Sequence, residues 1–321
     1  MATHAKDLAV IRNACVASVI CMATLSPRAG AEFVAYNSNE IGGVILRITP
    51  DGVATTFASG LPSPRGMAVD REGNLFVSVT GDGTIRRFTP GGVGSVFATG
   101  LDPRDLEIDA AGTLFASDAL SGTVRRFNAD GTSTAFASGF DPRGLAFDAA
   151  GNLFVSAGDG TLRRFAADGT GSVFGTGLND PFDVVADADG VAFVVNQLSV
   201  GFVDAEIRRY DAPGAGTTFS DADVRGLAVD LEGNLYASTA QNEILRFAPD
   251  GTRDVFASGL PDPFAIDIVA AATVPEPPSL ALLIAGFAGL LAVASRRSRV
   301  TRGHSRCFES PRSRMTVHLR S

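Results

Sequence analysis

Four arginines recur at one position of a repeated sequence pattern, each just before a short apolar segment. They are Arg65, Arg104, Arg143 and Arg225, and phenylalanine stands at the equivalent positions 182 and 264. A guanidinium group presents its N–H donors in a planar fork, so a ring of them can bind a carboxylate, a phosphate or an acidic sugar through paired hydrogen bonds. We predict an anion-binding ring. The structural alternative is ion pairing of these arginines with nearby acids such as Asp102, Asp105, Asp141 and Asp183.

A second group of side chains has the chemistry of a hard-cation site. Asp118 and Asn196 stand at equivalent positions at the ends of two predicted strands, and Asp105 and Asp183 directly follow two positions of the arginine ring. Carboxylate and amide oxygens are the ligands that calcium prefers, so these four side chains are candidate ligands of a divalent cation. Their spacing defines no metal motif, and hydrogen bonding to loop backbone is the alternative.

Other kinds of chemistry are excluded from the repeats by composition. The three histidines and three cysteines lie outside them, so neither a Ser-His-Asp triad nor a cysteine-based metal site is available there: His4, His304, His318, Cys15, Cys21 and Cys307. Residues 32–272 carry 32 acidic side chains against 16 arginines. The net negative charge of this region argues against nucleic acid as a partner.

The elements that must position the candidate residues are repeats with a period of about 40 residues. An aspartate ends the first apolar segment of six successive copies, at positions 70, 109, 148, 187, 230 and 267. Each copy holds four short segments rich in β-branched and aromatic residues, separated by turn sequences such as Asp-x-x-Gly-Asn. Four-stranded units of this length are typical of propeller blades. We therefore predict an all-β, six-bladed β-propeller over residues 32–270.

The first copy lacks its first strand, and a lone first strand near residues 264–268 has nothing after it. We expect this C-terminal strand to complete the N-terminal blade and close the ring, which removes two open strand edges. First strands then begin, and second strands end, on one side of the ring, which we call the mouth face. The insertion at residues 197–204 falls on the mouth face, where we expect ligand binding.

The two ends of the chain differ in composition from the repeats. Residues 1–31 combine a basic start, an apolar run and the small-residue pattern Ala29-Gly30-Ala31, which is typical of a cleaved secretory signal. Residues 271–279 form a proline-rich linker, and residues 280–295 predict a short transmembrane helix. Residues 296–321 form a basic tail, whose arginines are expected to stay on the cytoplasmic side.

The order of motifs at the C-terminus resembles the PEP-CTERM sorting signal of Gram-negative bacteria. Pro275, Glu276 and Pro277 precede the apolar segment, and Arg296 and Arg297 follow it. The resemblance implies an exosortase-type enzyme as partner, a precursor anchored in the inner membrane, and delivery to the cell surface or to an exopolysaccharide matrix. An ordinary C-terminal membrane anchor is the alternative.

The repeats resemble those of NHL-repeat and gluconolactonase (regucalcin)-like six-bladed propellers, through Pro142–Asp148 and Gly151–Ser156. Enzymes of that group hold a central divalent metal with acidic and asparagine ligands, which Asp118 and Asn196 match in kind. The sequence leaves three functions open. The first is a surface-sorted, non-enzymatic module that binds a polysaccharide or a protein through the mouth face. The others are a metal-dependent lactonase, hydrolase or lyase, and a structural spacer of the matrix.

Overall fold

Twenty-four short β-strands make up the part of the chain that the computed structural model describes, residues 33–199 and 204–270. They form six antiparallel sheets of four strands each, so the predicted all-β, six-bladed propeller is confirmed. The described residues include no helix that is long and apolar enough to cross a membrane. The predicted signal peptide, linker, transmembrane helix and basic tail lie outside these residues.

The strands of the first three blades follow one another from the channel to the outer edge of the ring. Blade 1 contains β24 (Ile266–Ala270), β1 (Phe33–Asn39), β2 (Val44–Ile48) and β3 (Ala54–Ser59). Blade 2 contains β4 (Pro64–Val69), β5 (Leu75–Val79), β6 (Thr84–Phe88) and β7 (Gly94–Thr99). Blade 3 contains β8 (Pro103–Ile108), β9 (Leu114–Asp118), β10 (Thr123–Phe127) and β11 (Ser133–Ser138).

The other three blades follow the same order. Blade 4 contains β12 (Pro142–Phe147), β13 (Leu153–Ala157), β14 (Thr161–Phe165) and β15 (Gly171–Gly175). Blade 5 contains β16 (Asp180–Ala186), β17 (Ala192–Gln197), β18 (Ala205–Tyr210) and β19 (Thr217–Ser220). Blade 6 contains β20 (Val224–Val229), β21 (Leu235–Thr239), β22 (Glu243–Phe247) and β23 (Arg253–Ser258).

The ring is closed by the strand that the sequence left unpaired. β24 pairs antiparallel with β1, and it thereby supplies the inner strand of the N-terminal blade. This pairing covers the exposed edge of β1 and joins the two ends of the repeat array, as predicted.

The register of β24 corrects the alignment of the last repeat. Asp267 pairs with Tyr36, just as Ala68 pairs with Phe76 and Glu107 pairs with Phe115. Asp267 is therefore the counterpart of Glu107, in the middle of an inner strand, and its assignment as the counterpart of the turn residue Asp70 is wrong. In sequence both aspartates end an apolar segment, and only the strand pairing distinguishes them.

The repeated Asp-x-x-Gly-Asn sequences form tight turns on the face opposite the mouth. Asp70 accepts hydrogen bonds from the backbone N–H groups of Glu72 and Asn74, at 3.0 and 2.8 Å. Gly73 has a φ of 79°, a conformation that costs other residues free energy. These aspartates are thus turn residues, which leaves the mouth face for function.

Apolar side chains between the blades form the core. The interfaces contain edge-to-face aromatic contacts, such as Phe57 of blade 1 with Phe88 of blade 2, whose ring centroids lie 6.1 Å apart. The buried residues of the described chain form six hydrophobic clusters, which matches the number of blade interfaces. Since each blade packs only on its neighbours, the closed ring is needed to cover every face.

A set of serines fixes the inner strands relative to one another. Ser117 and Ser156 are fully buried on second strands, and they donate hydrogen bonds to the carbonyl oxygens of Arg143 and Phe182. Those carbonyls lie on the inner strand of the following blade, and Ser78 and Ser238 make the same contact with Arg104 and Phe264. The hydroxyls therefore set the spacing of the strands that line the channel.

Candidate functional site

Two acidic residues, separated by small ones, lie in the central channel just below its mouth. From blade 1 to blade 6, one position of the inner strands holds Ala265, Gly66, Asp105, Gly144, Asp183 and Gly226. A Cβ atom on Gly66 would lie 2.3 Å from Oδ1 of Asp105, and one on Gly144 would lie 2.8 Å from the Cα of Asp183. The glycines therefore provide the room that the two aspartates occupy.

Asp105 and Asp183 each bridge to the next blade. Oδ2 of Asp105 accepts a hydrogen bond from the backbone N–H of Leu145 at 2.8 Å, and Oδ2 of Asp183 accepts one from Leu227 at 2.7 Å. The inner edge of a propeller blade has no further strand to pair with, so its N–H groups need other acceptors. The two aspartates supply them.

Two further acids line the channel one level deeper. Glu107 accepts a hydrogen bond from the backbone N–H of Phe147 at 3.4 Å, and Asp267 accepts one from the backbone of Val69. Their counterparts in the other blades are Ala68, Ala146, Val185 and Ala228. The described channel thus contains four carboxyl groups, of which the sequence analysis had singled out Asp105 and Asp183.

The pKa values of these carboxyl groups lie far from their usual range. Burial raises the pKa of Asp183 to about 7, that of Glu107 to about 8 and that of Asp267 to about 6. The pKa of Asp105 is raised well above its usual range, first by burial and then by repulsion from Asp183. Two interacting carboxyls of this kind retain a proton near neutral pH, so one can act as an acid and the other as a base.

The space between the inner strands is small. It measures about 120 Å³ and is bordered by the four acids together with apolar residues such as Met67 and Leu145. This volume accommodates several water molecules, whereas ligand sites for drug-sized molecules are commonly about 300–1,000 Å³. A molecule larger than a few atoms therefore does not fit between the inner strands.

Two aromatic rings cover the mouth. Phe182 and Phe264 belong to blades 5 and 1, and their ring centroids lie 5.4 Å apart in an edge-to-face arrangement. The guanidinium carbon of Arg65 lies 5.6 Å from the centroid of the Phe264 ring. A second, smaller cavity of about 20 Å³ at the mouth is bordered by both phenylalanines and by Asp105 and Asp183.

The structure brings the four predicted arginines to the mouth, where each is ion-paired. Arg104 contacts Asp141 at 2.9 Å, Arg143 contacts Asp180 and Asp141, Arg225 contacts Asp262, and Arg65 contacts Glu40 at 2.8 Å. The alternative of internal ion pairing therefore describes the ring, although Asp141 alone of the four acids predicted from the sequence takes part in these contacts. An anion that binds at the mouth must compete with carboxylates already in place.

The ion pairs follow the repeat. Three of the arginines pair with an aspartate 37 residues further along the chain, on the next blade. Where Phe182 replaces an arginine, the corresponding acid is Asp223, and its Oδ1 has no hydrogen-bond partner among the described residues. Phe182 thus interrupts the series of ion pairs that join adjacent blades at the mouth, which we call the mouth belt.

Asp118 and Asn196 lie at the ends of second strands, where they bond to loops of their own blades. Asp118 is fully buried, and its carboxylate accepts hydrogen bonds from the backbone N–H of Asp102 at 2.9 Å and from Arg125 at 2.7 Å. Asn196 accepts from the backbone N–H of Asn179 at 2.8 Å and donates to Glu206 at 2.9 Å. Strand register makes Asn39 the third member of this set, in blade 1. These side chains order the loops that lead to alternate inner strands.

The donor groups suit a divalent cation in kind, but they are not gathered around one point. Among residues 33–199 and 204–270, no three acidic, histidine or cysteine side chains come close enough together to hold a metal ion. Of the four predicted ligands, Asp105 and Asp183 share the channel, while Asp118 and Asn196 are engaged in loop contacts.

Glu107 and Asp267 were missed by sequence reasoning. The signal was available for Glu107, because an acid replaces the small or apolar residue that this position holds in blades 2, 4, 5 and 6. For Asp267 the signal was hidden by the misaligned last repeat. An acidic residue inside an otherwise apolar inner strand is the feature that marks the channel.

Comparison with known proteins gives the fold. No family model matches the chain, and no characterised protein matches its sequence. Similar solved structures include a gluconolactonase from Xanthomonas campestris, with a TM-score of 0.57, 15% identity, and coverage of 75% of this chain and 91% of that one. Virginiamycin B lyase from Staphylococcus aureus gives a TM-score of 0.56 and 14% identity, with coverage of 73% and 87%.

A further structure is a variant of the same lyase with one histidine replaced by alanine, described as catalytically inactive and bound to quinupristin. It gives a TM-score of 0.55 and 14% identity, with coverage of 73% and 87%. At these identities the likeness establishes a shared six-bladed fold.

Proposed function

We propose that the protein is a hydrolase of the lactonase type and that Asp105 and Asp183 form its reaction centre. The observation that carries the proposal is the pairing of these two interacting carboxyls below the channel mouth, both with raised pKa values. The likeness in fold to a gluconolactonase supports the same class of reaction.

The proposed reaction is the addition of water to a cyclic ester. Ionised Asp183 accepts a proton from a water molecule while the water oxygen forms a bond to the ester carbonyl carbon. Protonated Asp105 donates its proton to the ring oxygen as the carbon–oxygen bond breaks, which gives a hydroxy acid. A proton then passes from Asp183 to Asp105 through water, and the starting state is restored.

The assignment of acid and base follows from the two environments. Burial and the mutual repulsion of the two carboxylates hold a proton on the pair, and we assign it to Asp105, whose pKa is raised further by the neighbouring Glu107. Asp183 has a pKa of about 7 and is partly ionised at neutral pH. Groups whose pKa values are separated in this way can serve as acid and base in one reaction.

A lyase mechanism that depends on histidine is less compatible with this chain. Replacing one histidine with alanine accompanies loss of activity in the Staphylococcus lyase. The three histidines of this chain, His4, His304 and His318, all lie outside residues 33–270. The carboxyl pair, which needs no histidine, therefore favours the lactonase class.

A divalent cation, for which calcium is our candidate, can contribute to this centre by polarising the ester carbonyl. Asp105 and Asp183 would hold it, and the other carboxyl groups of the channel would favour its charge. A bound cation would replace the proton shared by the pair, so Asp105 and Asp183 would then act as its ligands, and the proton transfers described above belong to the cation-free pair.

The proposal is tested by following acid release from five- and six-membered lactones, including glucono-1,5-lactone, with the purified full-length chain. We expect ring opening above the spontaneous rate, measured in parallel with calcium and with a chelator. A folded protein that opens none of these lactones under either condition would contradict the proposal. A rate that depends on calcium would place the cation in the centre as well.

We also propose that the chain is exported and sorted to the cell surface. The support is the order Pro275-Glu276-Pro277, apolar segment, Arg296-Arg297, together with the leader-like residues 1–31. The test is fractionation of a Gram-negative host that carries an exosortase, comparing the natural chain with Glu276→Ala. Equal surface delivery of both proteins would count against the sorting signal.

A further inference from the structure

A groove crosses the face opposite the mouth, between blades 2 and 3. Its volume is about 750 Å³, which is ample for an oligosaccharide segment. Three arginines border it, Arg71 and Arg87 from blade 2 and Arg126 from blade 3, and the half-buried ring of Phe97 forms part of its wall. It is separate from the channel and shares no bordering residue with it.

Arg71 is specific to this groove. It occupies the second position of the Asp-x-x-Gly turn, where blades 3 to 6 have Ala110, Ala149, Ala188 and Leu231. Its guanidinium group reaches across the blade junction and donates one hydrogen bond to the carbonyl oxygen of Ala110. The remaining N–H groups of Arg71 have no described acceptor, so they are available to a bound ligand.

Among the described residues, Arg126 makes no aromatic contact of the kind that its counterparts make. In blades 2, 4 and 5 the equivalent arginine lies over a second-strand phenylalanine, as Arg164 lies 5.5 Å from the ring centroid of Phe154. In blade 3 the corresponding ring, Phe115, packs instead against Phe147 at 5.1 Å. Arg126 is exposed and has no ion pair among the described residues.

The charge of the groove contrasts with that of the whole ring. Three arginines face two acids here, Asp70 and Glu72, whereas residues 32–272 carry twice as many acids as arginines. Asp70 accepts from Asn74 in its turn at 2.8 Å and lies 3.9 Å from Arg87, so its charge is balanced by that arginine, and Arg71 and Arg126 remain against Glu72. The groove is therefore a local site of positive charge on an acidic protein.

The mixture of groups indicates the class of ligand. Guanidinium forks bind carboxylates through paired hydrogen bonds, and the Phe97 ring offers an apolar surface. Thr113 and Asn128 add neutral hydrogen-bonding groups of the kind that sugar hydroxyls use.

We propose that the groove between blades 2 and 3 binds an acidic oligosaccharide, with Arg71 and Arg126 contacting uronic-acid carboxylates. The site is independent of the lactonase centre, so either can exist without the other. It also differs from the mouth arginines in that Arg71 and Arg126 have no described carboxylate partner to displace.

The test is calorimetric titration of the full-length chain with tetragalacturonate, at low and moderate salt, alongside uncharged maltotetraose. We expect binding of the acidic sugar alone, and a loss of affinity of roughly tenfold for each of Arg71→Gln and Arg126→Gln, as a charge-assisted contact is removed. Arg253→Gln is the matched control, since it removes an exposed arginine of blade 6.

Circular dichroism of each variant establishes that the fold is kept. No binding by the unmodified protein would overturn the proposal. So would equal weakening by Arg253→Gln, which would indicate attraction to net charge alone. Full affinity in the double variant Arg71→Gln, Arg126→Gln would show that the sugar binds elsewhere. Lactone hydrolysis is measured on the same samples, so failure of one proposal is separate from failure of the other.

Discussion

The carboxylate of Asp183 accepts a hydrogen bond from the backbone N–H of Leu227 at 2.7 Å, and this bond joins blade 5 to blade 6. Asp105 joins blade 3 to blade 4 in the same way, through Leu145. The groups that we assign to catalysis therefore also satisfy the open inner edges of the ring. Their protonation is coupled to folding as well as to the reaction.

The first prediction is that stability falls as pH rises from about 4 to about 8. The folded-state pKa values of Asp183, Glu107 and Asp267 are about 7, 8 and 6, all above their unfolded values. Between the unfolded and folded pKa values, the folded protein keeps protons that the unfolded protein has released. The resulting stabilisation of the fold is fully present below about pH 4, and it is lost as the pH rises through the folded-state pKa values. Aspartates such as Asp148 have lowered pKa values, so their contribution to stability changes with pH only below about pH 4.

Thermal unfolding followed by circular dichroism at a series of pH values measures this effect. Glu107→Gln and Asp183→Asn should each reduce the slope between about pH 5 and 8, because each removes one titrating group. A slope that is unchanged in both variants would contradict the assignment of these groups to a buried, proton-retaining channel.

The second prediction concerns the glycines beside the acids. Gly144→Ala should destabilise the fold by about 1–3 kcal/mol, since the new Cβ meets backbone atoms of Phe182, Asp183 and Val184. Gly91→Ala is the matched control, because the nearest atom to its Cβ is Oγ1 of Thr89 at 3.9 Å. Urea unfolding measures both, and equal effects would mean that the inner strands are not tightly spaced around Gly144.

The third prediction concerns the belt of ion pairs at the mouth. Arg143 contacts both Asp141 and Asp180, and its side chain is 18% exposed. A double-mutant cycle with Arg143→Gln and Asp180→Asn should give a coupling of about 0.5–1 kcal/mol, a value typical of partly exposed pairs. The Arg246 and Asp254 pair, 39% and 54% exposed, should couple more weakly. The reverse order would argue against a stabilising role for the mouth belt.

Sequence reasoning reached the fold because the repeat is regular. Turn sequences rich in Asp, Gly and Asn separate the strands in every blade. The unpaired strand at residues 264–268 indicated that the ring closes onto the N-terminal blade. The position of the four arginines followed from the same repeat. Of their partners, the sequence indicated Asp141 alone, because Asp180 and Asp262 come into contact with Arg143 and Arg225 only through the packing of adjacent blades.

The site itself could be predicted only in part. Asp105 and Asp183 were identified as oxygen donors, and the channel does contain them. Asp118 and Asn196 share their chemistry, but both lie at strand ends, where neighbouring backbone N–H groups and polar side chains engage them. Side-chain type gives the possible chemistry, whereas the direction of each side chain depends on strand register.

The fourth prediction concerns access to the channel. Phe182 packs edge-to-face on Phe264 across the mouth, so Phe182→Ala should widen the path to Asp105 and Asp183. We expect a higher kcat/KM for bulky lactones and a smaller change for the smallest one. Steady-state rates across a size series measure this. A uniform fall in rate for a folded variant would mean that Phe182 positions substrate and does not obstruct it.

The most direct measurement of the central claim is the rate of lactone hydrolysis by Asp105→Asn and Asp183→Asn. Asp130→Asn is the control, because Asp130 is exposed in a turn and bonds only Thr132 among the described residues. We predict that each channel variant loses activity by at least about a hundredfold, as expected for removal of a general acid or base, while the control retains it. Full activity in both folded channel variants would contradict the assignment of Asp105 and Asp183 as the reaction centre.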